Sequence, residues 1–249
     1  MTGKRRVVFL SGTRADFGKL KPLIARVACD PSFEYEIFAT GMHMLARYGS
    51  TLNEIRRAGF AHIYPFVNQD GSVNSQMDLV LSTTVQGLGH YVREFKPDLL
   101  VVHGDRVEAL AGAIVGALNN ILVAHIEGGE LSGTIDELIR HAVSKLSHLH
   151  FVANEEARTR LLQLGEQPES VFVIGSPDID VMLSHDLPTL LEVRERYEIP
   201  FERYGILMYH PVTTELDRME RHAQELVEGV IRSELPFVVI YPNNDAGGA

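Results

Sequence analysis

The sequence predicts an α/β protein built on a doubly wound parallel sheet, with the start of a second sheet of the same kind behind it. Three observations predict this. Short apolar runs without charge, such as Leu99–Val102 and Ile121–Ala124, read as strands buried on both faces. Between such runs lie segments with apolar residues at helical spacing, giving roughly seven strand–helix alternations before the texture changes. Clusters of Gly, His and acid recur where the strand runs end, which is where open α/β sheets bind their ligands.

Arg6–Leu10 is the first expected strand. It leaves through Ser11-Gly12-Thr13-Arg14-Ala15-Asp16-Phe17-Gly18-Lys19 into a helix expected over Leu20–Ala28. A strand, a small polar turn and a helix start form an anion site from backbone N–H groups and the helix dipole, and Arg14 and Lys19 add charge for a phosphate. An ordinary turn with solvated Arg and Lys is the competing reading. The glycines match neither the dinucleotide fingerprint nor the P-loop, which rejects NAD and ATP.

Glu34–Thr40 is the second strand, and Gly41-Met42-His43-Met44 follows its exit. His43 there is either a ligand contact or a structural histidine. Thr51–Ala58 reads as a helix, Ile63–Phe66 as a third strand, and Val67–Asn74 as a polar loop near the crevice. Met77, Leu81, Val85, Leu88, Val92 and Phe95 mark a core-facing helix that Lys96-Pro97-Asp98 stops.

The central stretch runs from Leu99 to Val152. Its two strands lead to His103-Gly104-Asp105-Arg106 and His125-Ile126-Glu127-Gly128-Gly129-Glu130, with a helix of small and apolar residues, Val107–Leu118, between them. Thr134-Ile135-Asp136-Glu137 opens a further helix running to about Ser147; the plain reading of its two acids is capping. His148-Leu149-His150 precedes the strand Phe151–Ala153. Alternate residues of a strand share a face, so the two histidines could bind a metal, but no third ligand has suitable spacing, so no metal is expected. A helix over Asn154–Leu164 and a strand over Val171–Ile174 complete this region.

The first domain is therefore set at residues 1–176. Residues 177–249 read as a linker with Pro188 and Pro200, then a strand Gly205–Tyr209, a helix Leu216–Arg232 and a strand Phe237–Tyr241. Two strands are too few for a stable parallel sheet alone, so this part is expected to be an incomplete second domain.

At 249 residues and 45% hydrophobic, the chain can bury a full core. A formal net charge of −10 argues against a nucleic-acid binder, though a local cationic pocket still suits a nucleotide. The one cysteine, Cys29, rules out an intramolecular disulfide and fits a reducing cytoplasm. The apolar run after the basic start is too short for a signal peptide, and no run reaches the length of a membrane span. The expectation is a soluble cytoplasmic protein.

Taken together, Gly12-Thr13-Arg14-Ala15-Asp16, Thr40-Gly41-Met42-His43, His103-Gly104-Asp105-Arg106, His125-Ile126-Glu127-Gly128-Gly129-Glu130, Thr134-Ile135-Asp136-Glu137-Leu138-Ile139-Arg140-His141, Gly175-Ser176-Pro177, Tyr209-His210-Pro211-Val212-Thr213-Thr214 and Tyr241-Pro242-Asn243-Asn244-Asp245 resemble the hydrolysing UDP-N-acetylglucosamine 2-epimerases of sialic-acid synthesis. Any one piece is weak, but their order along almost the whole chain is specific. Arg106 and the Gly-Gly-Glu loop favour the hydrolysing branch over the non-hydrolysing one.

The resemblance implies two Rossmann-like domains of the GT-B type with the active site between them, no metal and no cofactor, and a homodimer or tetramer. It implies a UDP-linked sugar substrate: the C2 proton and UDP are lost to give a 2-acetamidoglucal, and water then adds. By position, Asp105, Glu127 and Asp136 match the catalytic acids, and His210 a histidine at the leaving diphosphate. Arg14, Lys19 and Arg106 match cationic positions near the phosphates, and His43 a substrate-side position. His103, His125, His148 and His150 are expected to be supporting or structural. Crowded carboxylates raise one another's pKa, which suits a site needing both an acid and a base. The family's second domain continues past Asp245, so this form reads as truncated, with little or no turnover expected. A sugar of the 2,4-diacetamido-trideoxy type, carried on UDP or GDP, and a binding module without catalysis are the alternatives.

Overall fold

The structure is a computed structural model and describes residues 3–70, 76–185, 187–210 and 216–240. The chain divides into two compact units, Met1–Leu183 and Ser184–Ala249. The motif residues Pro211–Thr214 and Tyr241–Asp245 lie outside the described residues.

In the first unit, seven strands alternate with helices: β1 Arg5–Ser11, α1 Arg14–Ala28, β2 Phe33–Ala39, α2 Leu52–Arg57, β3 Ile63–Pro65, α3 Met77–Phe95, β4 Leu99–His103, α4 Val107–Leu118, β5 Leu122–Ile126, α5 Thr134–Lys145, β6 Leu149–Val152, α6 Glu155–Gln163, β7 Val171–Val173 and α7 Pro177–Met182. The strands form one parallel sheet in the order β3-β2-β1-β4-β5-β6-β7. The order reverses between β1 and β4, so the crevice for a ligand opens at the carboxyl ends of these two strands. The doubly wound α/β class read from the sequence is the class observed. The sequence places the domain boundary after Ser176; α7 packs on α1 and belongs to the first unit.

Alternation in β1 shows why both faces are covered. Val7 and Phe9 pack with Phe17, Leu20 and Ile24 of α1 on one face; Val8 and Leu10 pack with Leu88 and Val92 of α3 and Ala113 of α4 on the other. Each full burial of a side chain of this size contributes roughly 1.5–3 kcal/mol. The small residues of α4 let it sit close to the sheet: a Cβ on Gly112 would stand 2.6 Å from Val102 and 2.7 Å from Leu10.

Three of the boundaries that differ from expectation bear on the strand exits. The first helix begins at Arg14, because Thr13 caps it by accepting the Asp16 N–H at 3.2 Å. β5 extends through Ile126 and β6 starts at Leu149, so His125 and His150 lie inside the sheet rather than beyond it. The second unit contains α8 Leu190–Arg196, β8 Gly205–Met208, α9 Met219–Arg232 and β9 Phe237–Ile240, with β8 and β9 paired in parallel. Thr189 closes a capping box with Glu192 at the start of α8. Among the described residues no helix is long and apolar enough to cross a membrane.

Candidate active site

The β1 exit fixes a carboxylate. Asp16 lies in the first turn of α1, where the helix dipole favours an anion, and its Oδ2 accepts the Gly12 N–H at 3.0 Å. Its Oδ1 stands 3.2 Å from His103 Nδ1 at the end of β4. The early helix start puts Lys19 in the second turn, where its ammonium meets carboxylates: Nζ is 2.7 Å from both Glu127 oxygens and 3.1 Å from Asp178 Oδ2.

Glu127 leaves β5 with φ at 59°, a left-handed conformation that costs a non-glycine residue on the order of 1 kcal/mol or more. Its backbone is tied on both sides: the N–H donates to Phe151 O at 2.8 Å, and the carbonyl accepts from Arg140 Nη1 at 2.9 Å. The carboxylate accepts from Ser176 Oγ at 2.6 Å and faces His103 Nε2 at 3.0 Å. Burial opposes charge on Glu127, but hydrogen bonds from His103, Lys19 and Ser176 outweigh it and bring its pKa down to about 2. Burial likewise opposes the imidazolium of His103, and the bonds to Asp16 and Glu127 outweigh it and raise that pKa to about 9. Asp16 is shifted down: burial works against its charge, and His103 more than compensates. At neutral pH the group is thus an anion–cation–anion chain.

Asp105 stands beside this chain. Arg140 of α5 pairs through Nη2 with Asp105 Oδ2 and with Ser132 Oγ at 2.9 Å, while its Nη1 holds the Glu127 carbonyl. One guanidinium therefore ties Asp105 to Glu127. Asp136 is exposed in the first turn of α5, four residues before Arg140 and so on the same side of the helix. Of the two acids opening α5, Glu137 is the one that accepts the Ser132 N–H, at 3.2 Å. Arg106 is half-buried at the start of α4, its Nε 3.4 Å from Glu108 Oε2.

The β2 exit is different. His43 is buried between hydroxyls, with Nε2 2.9 Å from Ser11 Oγ and Nδ1 2.7 Å from Thr51 Oγ1. Burial lowers its pKa to about 4, so it is neutral. Gly41, with φ at 59°, lies so close that a Cβ there would be 2.6 Å from both Glu108 Oε1 and Gly12 O.

His125 donates from Nε2 to Gly104 O at 2.8 Å and accepts from Ser144 Oγ at 3.0 Å; burial lowers its pKa to about 3. It anchors the loop that carries Asp105. His148 Nδ1 accepts the Val123 N–H at 3.1 Å, and His150 pairs with Glu166 at 3.2 Å. Among the described residues no group of three or more His, Cys, Asp or Glu is placed to hold a metal ion.

The structure thus brings Glu127, Asp105 and Lys19 together and puts Asp136 on the adjoining helix. Arg14 is exposed at the first turn of α1. His210 is exposed and belongs to the second unit. The sequence alone assigns no role to Asp16, Arg140, Ser176 or Asp178 and gives His103 only a supporting one. A signal exists for His103, the last residue of a strand beside the chain reversal. For Ser176 and Asp178, far along the chain from Glu127, spacing carries none.

The crevice and its ion chain define a doubly wound α/β protein with an acid–base cluster at the ligand end of its sheet. The chain belongs to the UDP-N-acetylglucosamine 2-epimerase family, whose model matches residues 25–249. It is 51% identical over 243 residues to a UDP-N-acetylglucosamine 2-epimerase of Neisseria meningitidis, covering 98% of this chain and 64% of the relative. It is 36% identical over 247 residues to a hydrolysing UDP-N,N'-diacetylbacillosamine 2-epimerase of Legionella pneumophila, covering 98% of this chain and 65% of that one. The chain thus spans just under two thirds of the length of these relatives. A crystal structure of UDP-GlcNAc 2-epimerase from Neisseria meningitidis bound to UDP-GlcNAc superposes with a TM-score of 0.80 at 20% identity, covering 98% of this chain and 67% of that one. A Methanocaldococcus jannaschii UDP-GlcNAc 2-epimerase in complex with UDP-GlcNAc and UDP gives 0.77 at 20% identity, covering 97% and 67%. These likenesses show the fold.

Proposed function

We propose that this chain carries the acid–base site of a hydrolysing UDP-N-acetylglucosamine 2-epimerase acting in a sialic-acid-type pathway. The observation that carries the proposal is the Glu127 carboxylate, held ionised beside Asp105 at the ligand end of the sheet. The proposed reaction breaks C2–H and C1–O: a carboxylate takes the C2 proton, the C–H electron pair becomes the C1–C2 double bond, and UDP leaves with the C1–O pair. Water then adds its oxygen to C1 while a proton returns to the opposite face of C2, giving N-acetylmannosamine.

Asp105, Glu127 and Asp136 share the proton transfers, and His210 and Arg106 serve the leaving diphosphate. Arg14 and His43 complete the proposed substrate side. Lys19 has a double duty. It helps hold the Glu127 pKa at about 2, where a carboxylate is a weak base. A diphosphate competing for Lys19 relieves that restraint, so the substrate itself readies the base. Arg106 and Gly128-Gly129-Glu130 support the hydrolysing type, as does the Legionella relative, a hydrolysing 2-epimerase by name. That relative also favours a second reading, a 2,4-diacetamido sugar donor, as does the GDP/UDP-N,N'-diacetylbacillosamine 2-epimerase of Campylobacter jejuni at 34% identity. The protein is proposed to work in the cytoplasm as a homodimer or tetramer.

The test joins the 249 residues to the remaining part of the Neisseria relative and incubates that chimera with UDP-GlcNAc in heavy water. Free UDP and N-acetylmannosamine deuterated at C2, followed by proton NMR, are the expected products. UDP-N-acetylmannosamine would assign the non-hydrolysing type. Turnover of the 2,4-diacetamido donor alone would assign the second reading.

A further inference from the structure

We propose that Asp16 is a positioning residue for Glu127, acting through His103 as an acid–imidazole–acid chain across the point where the strand order reverses. The three residues come from three separate strand exits: Asp16 from the turn after β1, His103 from the end of β4 and Glu127 from the turn after β5. Asp16 is the fixed end. Its Oδ2 is held by the Gly12 N–H at 3.0 Å, and its own N–H is held by Thr13 Oγ1 at 3.2 Å. Its Oδ1 faces His103 Nδ1 at 3.2 Å, which sets the ring so that Nε2 meets Glu127 Oε2 at 3.0 Å.

A neutral imidazole carries one N–H and satisfies one acid by donation; the imidazolium satisfies both. Two carboxylates on opposite ring nitrogens therefore keep the proton on His103. The other charges around the ring are Arg106, which acts on Asp16, Lys19, which holds the far side of Glu127, and neutral His125 on the neighbouring strand. Lys19, shared among Glu127, Asp178 and Ser176, is partly exposed, so a ligand can reach it. His103 is almost wholly buried and tied at both ends. The division of labour follows: Lys19 is the exchangeable cation of Glu127, and His103 is the permanent one. The permanent cation keeps one carboxylate oxygen oriented while the other is free to change partners. Only the naming of Glu127 as a reacting group rests on the proposed function.

The test is a ¹⁵N NMR titration of the histidines in the 249-residue chain without substrate. His103 is expected to keep both ring nitrogens protonated through neutral pH, with a midpoint of about 9. Asp16→Asn keeps an acceptor for the Gly12 N–H and removes the counter-charge, so the His103 midpoint moves back toward 6.5, while Asp16→Glu restores it in part. Glu127→Gln moves the same midpoint in the same direction if the fold is intact by amide dispersion. In the chimera, Asp16→Asn is expected to lower kcat by about tenfold or more, with KM changed by less, and to move the alkaline limb of the kcat profile down by about a unit. A wild-type His103 that titrates near 6.5, or a midpoint that Asp16→Asn leaves in place, overturns the proposal. The titration needs no turnover, so its outcome stands even if the epimerase reading fails.

Discussion

Two histidines sit at the exits of the strands that flank β1 and carry different charge states. His43, after β2, is buried between two hydroxyls and is neutral, with its pKa lowered to about 4. His103, at the end of β4, is almost as buried but lies between two carboxylates, and its pKa is raised to about 9. Burial favours the neutral form in both. The partners decide: hydroxyls accept either form, whereas carboxylates on both ring nitrogens demand the cation. The β2 exit therefore packs its histidine in the neutral form, and the β4–β5 exits hold theirs as a cation between carboxylates.

The largest expected effect separates these exits by activity. In the chimera, Glu127→Gln is expected to lower turnover by about 10²–10⁴-fold, measured as UDP release. Thr51→Val beside His43 is expected to leave that rate within a few-fold.

Next comes pH. His43 has a folded pKa below its unfolded one, so its contribution is full above pH 6.5 and lost as the pH falls toward about 4. That loss amounts to about 3 kcal/mol. His103 has the reverse sign: its contribution is full below pH 6.5 and lost as the pH rises through about 9. Denaturant melts across pH are expected to show both limbs. Asp16→Asn flattens the alkaline limb, and because the Asp16 charge also raises the His43 pKa, it moves the His43 part of the acid limb to lower pH.

Gly41→Ala tests the packing of the β2 exit. A positive φ and contacts of 2.6 Å leave no room for a methyl group. The expected loss is about 2 kcal/mol by chemical denaturation. Smallest is Thr51→Val, which removes one partner of His43 and costs about 1 kcal/mol.

The contrast also explains what was legible in the sequence. Strand runs such as Leu99–Val102 identify the doubly wound sheet, because burial on both faces leaves an uninterrupted apolar signature. Asp105, Glu127 and Asp136 stand out as acids at strand exits or in a helix's first turn. The partners of these acids do not. Lys19 reads as a phosphate ligand on a loop, but Thr13 starts the helix earlier and turns Lys19 onto Glu127. Arg140 lies within a motif and has no role until α5 places it against Asp105 and the Glu127 carbonyl. His103 and His43 have similar local settings, one the last residue of a strand and the other in the turn just after one. Only tertiary contacts with Asp16, Glu127, Ser11 and Thr51 tell them apart.

In the proposed reaction the ion-held carboxylate at the β5 exit performs the proton chemistry. Deuterium incorporation at C2 by the chimera, compared with its Glu127→Gln variant, tests it most directly. C2-deuterated N-acetylmannosamine and free UDP are expected from the parent, and neither from the variant above about one hundredth of the parent rate. Release of UDP and deuterium incorporation by Glu127→Gln at the parent rate would contradict the claim and move the proton transfer to another residue.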